Sequence, residues 1–322
     1  MNSSFLLFLM SMSLGVMVSL CSNNLITIWV GLEVSLMSFI PIMTGNSLLS
    51  SESSMKYFIV QSLSSMLLML GLMMLIMDMI NLGKLIISIS LLIKIGVAPF
   101  HMWVLSVVEG LTNFCLFTLL FTMKLVPLYL IGMMEVEFML MSVFTMIIGS
   151  ISGLIQNSIR KLMSFSSIYN LGLVISCINN TSLWMTYFII YGFILFCLLY
   201  MFSCLNSNYV NQIIMMEFDF SKKLIFWFTL LSMGGLPPFL GFLNKLLVIE
   251  FLLLNNKLLL LMTLIFTSLL VIFYYMRLSF ISLMFFFNLN KWNVSMTSNI
   301  SFIILLVNLI SFPIFVMVKG LI

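Results

Sequence analysis

Residues 91–110 read LLIKIGVAPFHMWVLSVVEG, an apolar run of membrane-spanning length with a proline, Pro99, at its middle. A second run of this kind, FTLLSMGGLPPFLGFLNKLLVIE at 228–250, has Pro237 and Pro238 at its middle. Proline lacks the backbone N–H donor and clashes with the preceding helical turn, so each run predicts a helix that is broken halfway. Within a membrane, a broken helix is tolerated only where it is buried in protein or lines a hydrated cavity. The two runs therefore indicate two membrane-embedded sites.

The rest of the chain has the composition of a membrane protein. Of its 322 residues, 63% are hydrophobic and only 7% are charged, whereas charged residues make up about 25% of a typical soluble protein. Too few polar side chains remain to cover a water-soluble domain, so the composition excludes soluble chemistry. Polar and turn residues divide the chain into about eleven predicted spans. These lie at 3–21, 25–43, 56–79, 85–108, 113–133, 138–156, 161–178, 183–205, 223–254, 258–287 and 299–318.

The positions of the two broken helices suggest an internal repeat. Each is the fourth member of a group of five spans, and because five is odd, the second group is expected to lie inverted in the membrane. Glycine- or proline-interrupted segments at matching places in two halves are typical of inverted-repeat transporters. The predicted fold is an all-α polytopic membrane protein with two inverted five-helix repeats, 1–133 and 134–287, and a C-terminal transmembrane helix within 288–322.

Loop charges predict the orientation of the chain. The side that holds the N-terminus carries the larger number of basic residues, which are Lys56, Arg160, Lys161, Lys222, Lys223 and Lys291. The opposite side carries fewer basic residues and an acidic pair, which are Lys84, Lys257, Lys319, Glu135 and Glu137. Basic loops are retained on the cytoplasmic or matrix side of a membrane, so we expect the N-terminus on that side.

Charged residues lie near the middle of four predicted spans, and they are Glu33, Lys94, Lys124 and Lys245. A charge at a helix centre costs about 2.5–3.5 kcal/mol, so four cost on the order of 10 kcal/mol unless they are paired or hydrated. Because Glu33 and Lys94 have opposite charge and share one predicted repeat, we expect them to pair or to communicate through water. A lysine whose partner comes and goes can load and release a proton. Alternatively, the two residues form a static pair that sets the helix register.

Histidine and cysteine offer little further chemistry. The single histidine, His101, follows the first helix break, where its imidazole suits a proton wire. It could equally satisfy a backbone carbonyl that the break leaves unpaired. The cysteines, at positions 21, 115, 177, 197 and 204, lie within or at the ends of apolar runs and form no CxxC pair. We therefore predict neither a disulfide bond nor a metal site.

Several strings in this sequence resemble a known family. They are WVGLEVSLMSFIP around Glu33, SESSMKYF around Lys56, LLIKIGVAPFHMW around Lys94 and His101, TMKLVP around Lys124, SIRKLMSFSSI at 158–168, and GGLPPFLGFLNK ending at Lys245. Taken in order, they resemble the chain 2 family of mitochondrial NADH:ubiquinone oxidoreductase. That family is one of the antiporter-like membrane subunits of respiratory complex I.

The resemblance implies that Glu33, Lys94, Lys124 and Lys245 form a polar axis through the middle of the membrane. It implies a chain of the mitochondrial inner membrane that contributes a proton pathway to an enzyme complex and carries out no redox chemistry itself. NADH, FMN, iron–sulfur clusters and ubiquinone would bind to other subunits, which agrees with the absence of cysteine clusters and of a glycine-rich dinucleotide loop. The expected partners are other membrane-arm subunits and membrane lipid, with no nucleic acid.

The same resemblance suggests an order of proton transfer. Glu33 would control the charge on Lys94, and a proton would pass to Lys124 and then toward Lys245. One position departs from the family, which commonly has a histidine after SFSSI, whereas this chain has Tyr169 followed by Asn170. An asparagine amide cannot titrate, so a relay through that position must use water or another group.

Two other functions fit the same residues. A cation/proton antiporter, stand-alone or Mrp-like, would have the same broken helices and would exchange sodium without NADH. A structural membrane subunit would carry static ion pairs that are needed for assembly alone. The resemblance favours the complex I subunit over both.

Overall fold

The computed structural model describes residues 3–45, 47–134, 136, 138–205, 207–215 and 220–284. Within these ranges the regular structure is helical, apart from an isolated bridge between Ser158 and Tyr209. The helices are α1 Ser3–Cys21, α2 Leu25–Met43, α3 Leu48–Ile76, α4 Ile80–Ile95, α5 Met102–Val108, α6 Asn113–Phe117, α7 Met123–Met133, α8 Met139–Ile155, α9 Ile159–Ser176, α10 Thr181–Leu205, α11 Val210–Met215, α12 Phe220–Gly234, α13 Leu240–Leu254 and α14 Leu258–Met284.

Six helical stretches in the described part of the chain are long and apolar enough to cross a membrane. They are α1, α2, α3, the stretch Asn113–Met133 that contains α6 and α7, α10, and Leu258–Ile281 within α14. The chain is therefore an all-helical polytopic membrane protein. The span predicted at 299–318 lies outside the described residues.

Several helices depart from the predicted spans. The span predicted at 56–79 begins earlier, at Leu48, because the Ser47 side chain caps the helix by accepting a hydrogen bond from the backbone N–H of Ser50 at 3.2 Å. The span predicted at 113–133 is not a uniform α-helix, since a π-helical segment, Thr118–Thr122, separates α6 from α7. The short helix α11 falls where the sequence analysis predicted a loop.

Both runs with central prolines consist of two helices. The span predicted at 85–108 contains α4 and α5, with the gap between them around Pro99. The span predicted at 223–254 contains α12 and α13, with the gap around Pro237 and Pro238. In each case a helix end, with its unpaired backbone groups, lies inside an apolar run that is long enough to span the bilayer.

The contacts divide the chain into two compact units, Met1–Thr145 and Met146–Ile322. In the first unit, α1 and α2 approach so closely that glycine is required at their contact. A Cβ atom on Gly15 would lie 2.8 Å from the backbone nitrogen of Ser35, and one on Gly31 would lie 2.7 Å from the carbonyl oxygen of Gly15. Small residues allow this approach, and close packing holds helices together where lipid supplies no hydrophobic driving force.

In the second unit, α9 lies at the centre, because nearly all of its residues are buried. Its serine hydroxyls are satisfied within the helix: those of Ser164, Ser166 and Ser167 donate to the carbonyls of Lys161, Met163 and Ser164. This bonding to the preceding turn explains how a serine-rich helix can be buried in a membrane protein.

The contact between α1 and α2 gives a test of the fold. We expect Gly15→Leu to destabilise the chain by about 1–3 kcal/mol or more, because the added atoms meet backbone that cannot move aside. The measurement is the melting temperature of the detergent-solubilised protein, followed by size-exclusion chromatography. Leu14→Phe is the control, since Leu14 is the preceding residue of the same helix and is 62% exposed. Equal melting temperatures for the two variants would contradict the close contact.

Candidate functional site

The first helix break ends α4 with a glycine-capped turn. Gly96 adopts a φ of 78°, which a residue with a side chain seldom adopts, and its N–H donates to the carbonyls of Leu92 and Ile93, each at 3.1 Å. The N–H of Val97 also donates to Leu92, at 3.1 Å. This is the hydrogen-bond pattern of a Schellman motif, which pairs the last carbonyls of a helix.

Side chains from neighbouring helices satisfy carbonyls at the same helix end. The indole Nε1 of Trp103 donates to the carbonyl of Ile93 at 3.0 Å, and Nε2 of Gln61 donates to the carbonyl of Lys94 at 3.2 Å. Lys94 itself lies in the last turn of α4, where the helix dipole favours a positive charge. The break is therefore a polar end that side chains of the protein stabilise inside the membrane.

Lys94 and Lys124 line the same small cavity. Its volume is about 20 Å³, which is room for one water molecule. The other polar residues that line it are Ser35, Tyr57 and Gln61. The two lysines are only 6% and 3% exposed, so their amines are held away from bulk water. The structure thus brings together two of the four charged residues predicted from the sequence.

Lys124 is the second residue after the π-helical segment, and Leu119 of that segment also lines the cavity. A π-helical turn inserts one extra residue and rotates the side chains that follow it, and such turns are frequent at functional sites. The cavity is therefore framed by two irregular elements, the broken α4 and the π segment before α7.

Glu33 does not contact Lys94 directly. Among the described residues, no oxygen of Glu33 lies within 4.0 Å of Lys94 Nζ, so the direct ion pair is not formed. The carboxylate nevertheless interacts electrostatically with Lys94 and Tyr57 across a longer distance. One of its oxygens, Oε1, is buried without a hydrogen-bond partner in the described part of the chain. Communication through water stays a prediction that fits these positions.

His101 lies outside the cavity that the lysines share. It is half-buried at the start of α5, where its ring interacts with the backbone of Pro99. Its Nδ1 atom is buried and, within the described ranges, is not in hydrogen-bonding geometry to any partner. The structure therefore places His101 beside the break but not between Lys94 and Lys124.

The second helix break repeats the backbone pattern of the first. Gly235 has a φ of 74°, and its N–H donates to the carbonyls of Leu231 and Ser232 at 3.0 and 3.1 Å. The N–H of Leu236 donates to Leu231 at 3.3 Å, as Val97 does to Leu92 at the first break. Both breaks thus use the same glycine-capped turn, and in each a proline lies three residues after the glycine, Pro99 after Gly96 and Pro238 after Gly235.

Lys245 reaches back to this second helix end. From α13, its Nζ donates to the carbonyl of Gly234, the last residue of α12, at 2.5 Å, and the side chain is 7% exposed. The lysine passes so close to Gly235 that a Cβ atom there would lie 2.7 Å from its Cε. Lys94 precedes its break and lies in the last turn of α4, whereas Lys245 follows its break and its amine contacts the last residue of α12. Both lysines are thus placed at the C-terminal end of the half-helix before the break, which is the negative pole of the helix dipole.

Sequence reasoning missed two contributors to the first site. Gln61 could have been noticed as an amide side chain inside an apolar span, which must find a partner there. The π-helical segment leaves no comparable signal, because its residues are as apolar as those of the surrounding helix.

Comparison with protein families defines the class. Residues 22–79 and 76–272 match the model of a family described as NADH:quinone oxidoreductase/Mrp antiporter, TM. The matched ranges contain both helix breaks and the four charged residues Glu33, Lys94, Lys124 and Lys245. The fold and the site are thus those of a transmembrane protein of the oxidoreductase and antiporter kind.

Whole-chain comparison is more specific. The chain is 39% identical to NADH-ubiquinone oxidoreductase chain 2 of Anopheles gambiae, over 97% of this chain and 96% of that protein. It is 33% identical to the chain 2 protein of Locusta migratoria, over 92% and 91%. Its fold is similar to a chain in the structure of respiratory complex I from Thermus thermophilus, with a TM-score of 0.80 and 19% identity over 87% of this chain and 71% of that one. The chain therefore belongs to the NADH-ubiquinone oxidoreductase chain 2 family.

Two adjacent glycines at the second break allow a matched test. We expect Gly235→Ala to lower stability by about 1–2 kcal/mol, because the left-handed conformation disfavours a side chain, and to displace Lys245 from the Gly234 carbonyl. Gly234→Ala should be tolerated, since a Cβ atom there would come no closer than 3.7 Å to a neighbour. Melting temperatures of the two variants in detergent provide the comparison. If Gly234→Ala were the more harmful change, the description of this turn would be wrong.

Proposed function

We propose that this chain is a membrane subunit of respiratory complex I that conducts protons across the mitochondrial inner membrane. The main observation that supports this proposal is the water-sized cavity lined by the buried Lys94 and Lys124. NADH oxidation and ubiquinone reduction, with FMN and the iron–sulfur clusters, belong to other subunits of the complex. The partners are other membrane-arm subunits and lipid, and the excess of basic residues in the loops favours an N-terminus on the matrix side.

The cavity suits proton transfer because two buried lysines line it and it has room for one water. Two positive charges beside one small buried cavity repel each other where little solvent screens them, so a proton on one amine disfavours a second proton on the other. Transfer from Lys94 to Lys124 breaks an N–H bond on the first amine and forms an O–H bond on the water. The water then gives a different proton to the second amine. One positive charge moves, and the number of protons in the cavity is conserved.

Glu33 controls which amine holds the proton. Its negative charge favours the protonated form of Lys94 by attraction through space, without the close contact that would lock the two together. When the influence of the Glu33 charge on Lys94 is lost, Lys94 releases its own proton toward Lys124. The long-range interaction without an ion pair supports this role over that of a static structural pair.

Lys245 is a proton site of the second unit, and His101 is a secondary one beside the first break. Lys245 is held by a single backbone carbonyl, which can accept a hydrogen bond from either the charged or the neutral amine. It therefore keeps its position as its charge changes. His101 can exchange protons with water that enters the break at Pro99.

The two breaks also support a repeated architecture. We propose eleven spans, arranged as two inverted five-helix repeats at 1–133 and 134–287 and a C-terminal transmembrane helix within 288–322. The supporting observation is the pair of identical glycine-capped turns, because a shared local conformation at matching positions is typical of inverted repeats.

Membership of the complex is tested on native membranes. After gentle solubilisation, complexes are separated on a native gel and stained for NADH dehydrogenase activity, and this chain is located by mass spectrometry. We expect it in a large NADH-oxidising band. If it instead migrates as a small particle without NADH activity, and vesicles show sodium/proton exchange without NADH, the chain is an antiporter subunit.

The role of the cavity is tested by Lys94→Met in the assembled complex, reconstituted into vesicles. We expect fewer protons moved per NADH oxidised, because methionine keeps the length of the side chain but cannot carry a proton. Electron transfer is measured separately with the membrane uncoupled. Lys84→Met is the matched control, since Lys84 lies on the same helix and is exposed.

The alternative of a static structural pair gives a different result in the same experiment. It predicts that Lys94→Met lowers the amount of assembled complex but leaves the protons moved per NADH unchanged. That outcome, with normal pumping by each remaining complex, would remove Lys94 from the proton pathway.

A further inference from the structure

The second unit contains a cluster of buried tyrosines that the lysine pathway does not use. Five of the nine tyrosines in the chain belong to it, and each is at most 4% exposed. They are Tyr169 on α9, Tyr187 and Tyr191 on α10, and Tyr274 and Tyr275 on α14. These five residues are called the tyrosine cluster below. Phenylalanine would fill the same space without burying a hydroxyl, so packing alone does not account for them.

The five side chains interact with one another across three helices. The rings of Tyr274 and Tyr275 have their centroids 4.6 Å apart. The hydroxyl of Tyr274 interacts electrostatically with those of Tyr169 and Tyr191, and the hydroxyl of Tyr187 interacts with the same two. The cluster is therefore one connected group of hydroxyls and not five separate ones.

Most of these hydroxyls lack a full hydrogen-bond partner in the protein. Among the described residues, four are buried without a partner in hydrogen-bonding geometry, and they are those of Tyr169, Tyr191, Tyr274 and Tyr275. They do lie close to other hydroxyls, with Tyr169 next to Thr267, Tyr191 next to Ser167, and Tyr275 next to Ser166. Buried hydroxyls in such surroundings are normally completed by ordered water. The cluster thus has the chemistry of a hydrated, neutral polar region.

The fifth hydroxyl connects the cluster to Asn170, whose side-chain amide does not titrate. Tyr187 donates from its hydroxyl to Oδ1 of Asn170 at 2.6 Å, and Nδ2 of Asn170 donates to the carbonyl of Ser166 at 2.9 Å. The amide is thereby fixed in one orientation. It holds Tyr187 in place but cannot itself accept and release a proton at neutral pH.

The cluster also reaches the helix that carries Lys245. Nδ2 of Asn244, the residue before Lys245, donates to the backbone carbonyl of Tyr187 at 3.4 Å. The other amide atom of Asn244, Oδ1, is buried and unpartnered in the described part of the chain. Polar groups thus continue from α13, through α10, to the cluster.

We propose that the tyrosine cluster and its associated water carry protons past Asn170 in the second unit, in place of a titratable side chain at that position. This inference rests on the proposed function of the chain. Asn170 is a positioning residue, because it acts through Tyr187 and does not carry the proton. The relay groups are the hydroxyls of Tyr169, Tyr191, Tyr274 and Tyr275.

Each relay step leaves the tyrosine neutral. A hydroxyl accepts a proton from one water on a lone pair of its oxygen and gives its original proton to the water on the other side. One O–H bond forms as another breaks on the same oxygen, so the charge passes through without a tyrosinate. No oxidant, reductant or cofactor takes part in this transfer.

The test uses the assembled complex in vesicles and compares tyrosine variants with Lys94→Met. The principal variant is Tyr274→Phe with Tyr275→Phe, which removes two hydroxyls and keeps both rings. Tyr191→Phe is a milder second variant in case the double change prevents assembly. Tyr200→Phe is the matched control, since it removes the hydroxyl of a half-buried tyrosine on α10 outside the cluster. Protons moved per NADH, uncoupled electron transfer and the amount of complex are measured for each.

We expect the double variant to lower the protons moved per NADH to the value of Lys94→Met, with uncoupled electron transfer unchanged. Adding Asn170→His to the double variant should raise the value again, because an imidazole can accept and release a proton at that position. A purely structural role predicts a change in the amount of assembled complex, but neither this loss of protons moved per NADH nor its recovery.

The outcomes separate this inference from the proposed function. If Lys94→Met lowers pumping but both tyrosine variants pump like Tyr200→Phe, the cluster carries no protons and the inference is overturned. If Lys94→Met itself pumps normally, the proposed function fails and the inference falls with it.

Discussion

A helix that ends in the middle of a membrane leaves its last carbonyls without partners, and hydrocarbon cannot supply any. The arrangement of both units follows from this constraint. At the first break, a left-handed glycine, an indole from α5 and an amide from α3 satisfy the end of α4. At the second, the same glycine turn is combined with the amine of Lys245. The need to satisfy a broken helix therefore brings polar groups together around each break.

The two units use different chemistry around equivalent breaks. The first has two buried lysines on one small cavity, with a glutamate acting from a distance. The second has one buried lysine held by a backbone carbonyl, together with five buried tyrosines. Proton transfer between amines changes the charge of the two lysine side chains. Transfer along hydroxyls and water leaves the side chains uncharged. Under the proposed function, protons in the first unit are held as charges on lysines, whereas the tyrosine cluster of the second unit passes them on without holding a charge.

The sequence predicts the parts of this structure that have a large local energetic cost. Proline inside an apolar run signals the breaks at Pro99 and at Pro237, and a charge inside such a run signals Lys94, Lys124 and Lys245. It does not predict the π-helical segment before Lys124, because one extra residue per turn does not change an apolar pattern. Nor does it predict the tyrosine cluster, whose members are about a hundred residues apart between Tyr169 and Tyr275 and meet only through packing. The sequence also leaves open whether Glu33 contacts Lys94 directly or through water. The answer depends on how α2 packs against its neighbours, and the structure, which describes both residues, has no direct contact between them.

The size of the cavity between Lys94 and Lys124 has a consequence for ion selectivity. A volume of about 20 Å³ accommodates one water molecule. A sodium ion with its first shell of water needs several times that space, and it would also face two amines that can carry positive charge. A proton needs no such space, because it crosses by exchange of bonds on a water that is already present. If protons cross this cavity as proposed above, its small volume excludes hydrated metal cations from the same passage.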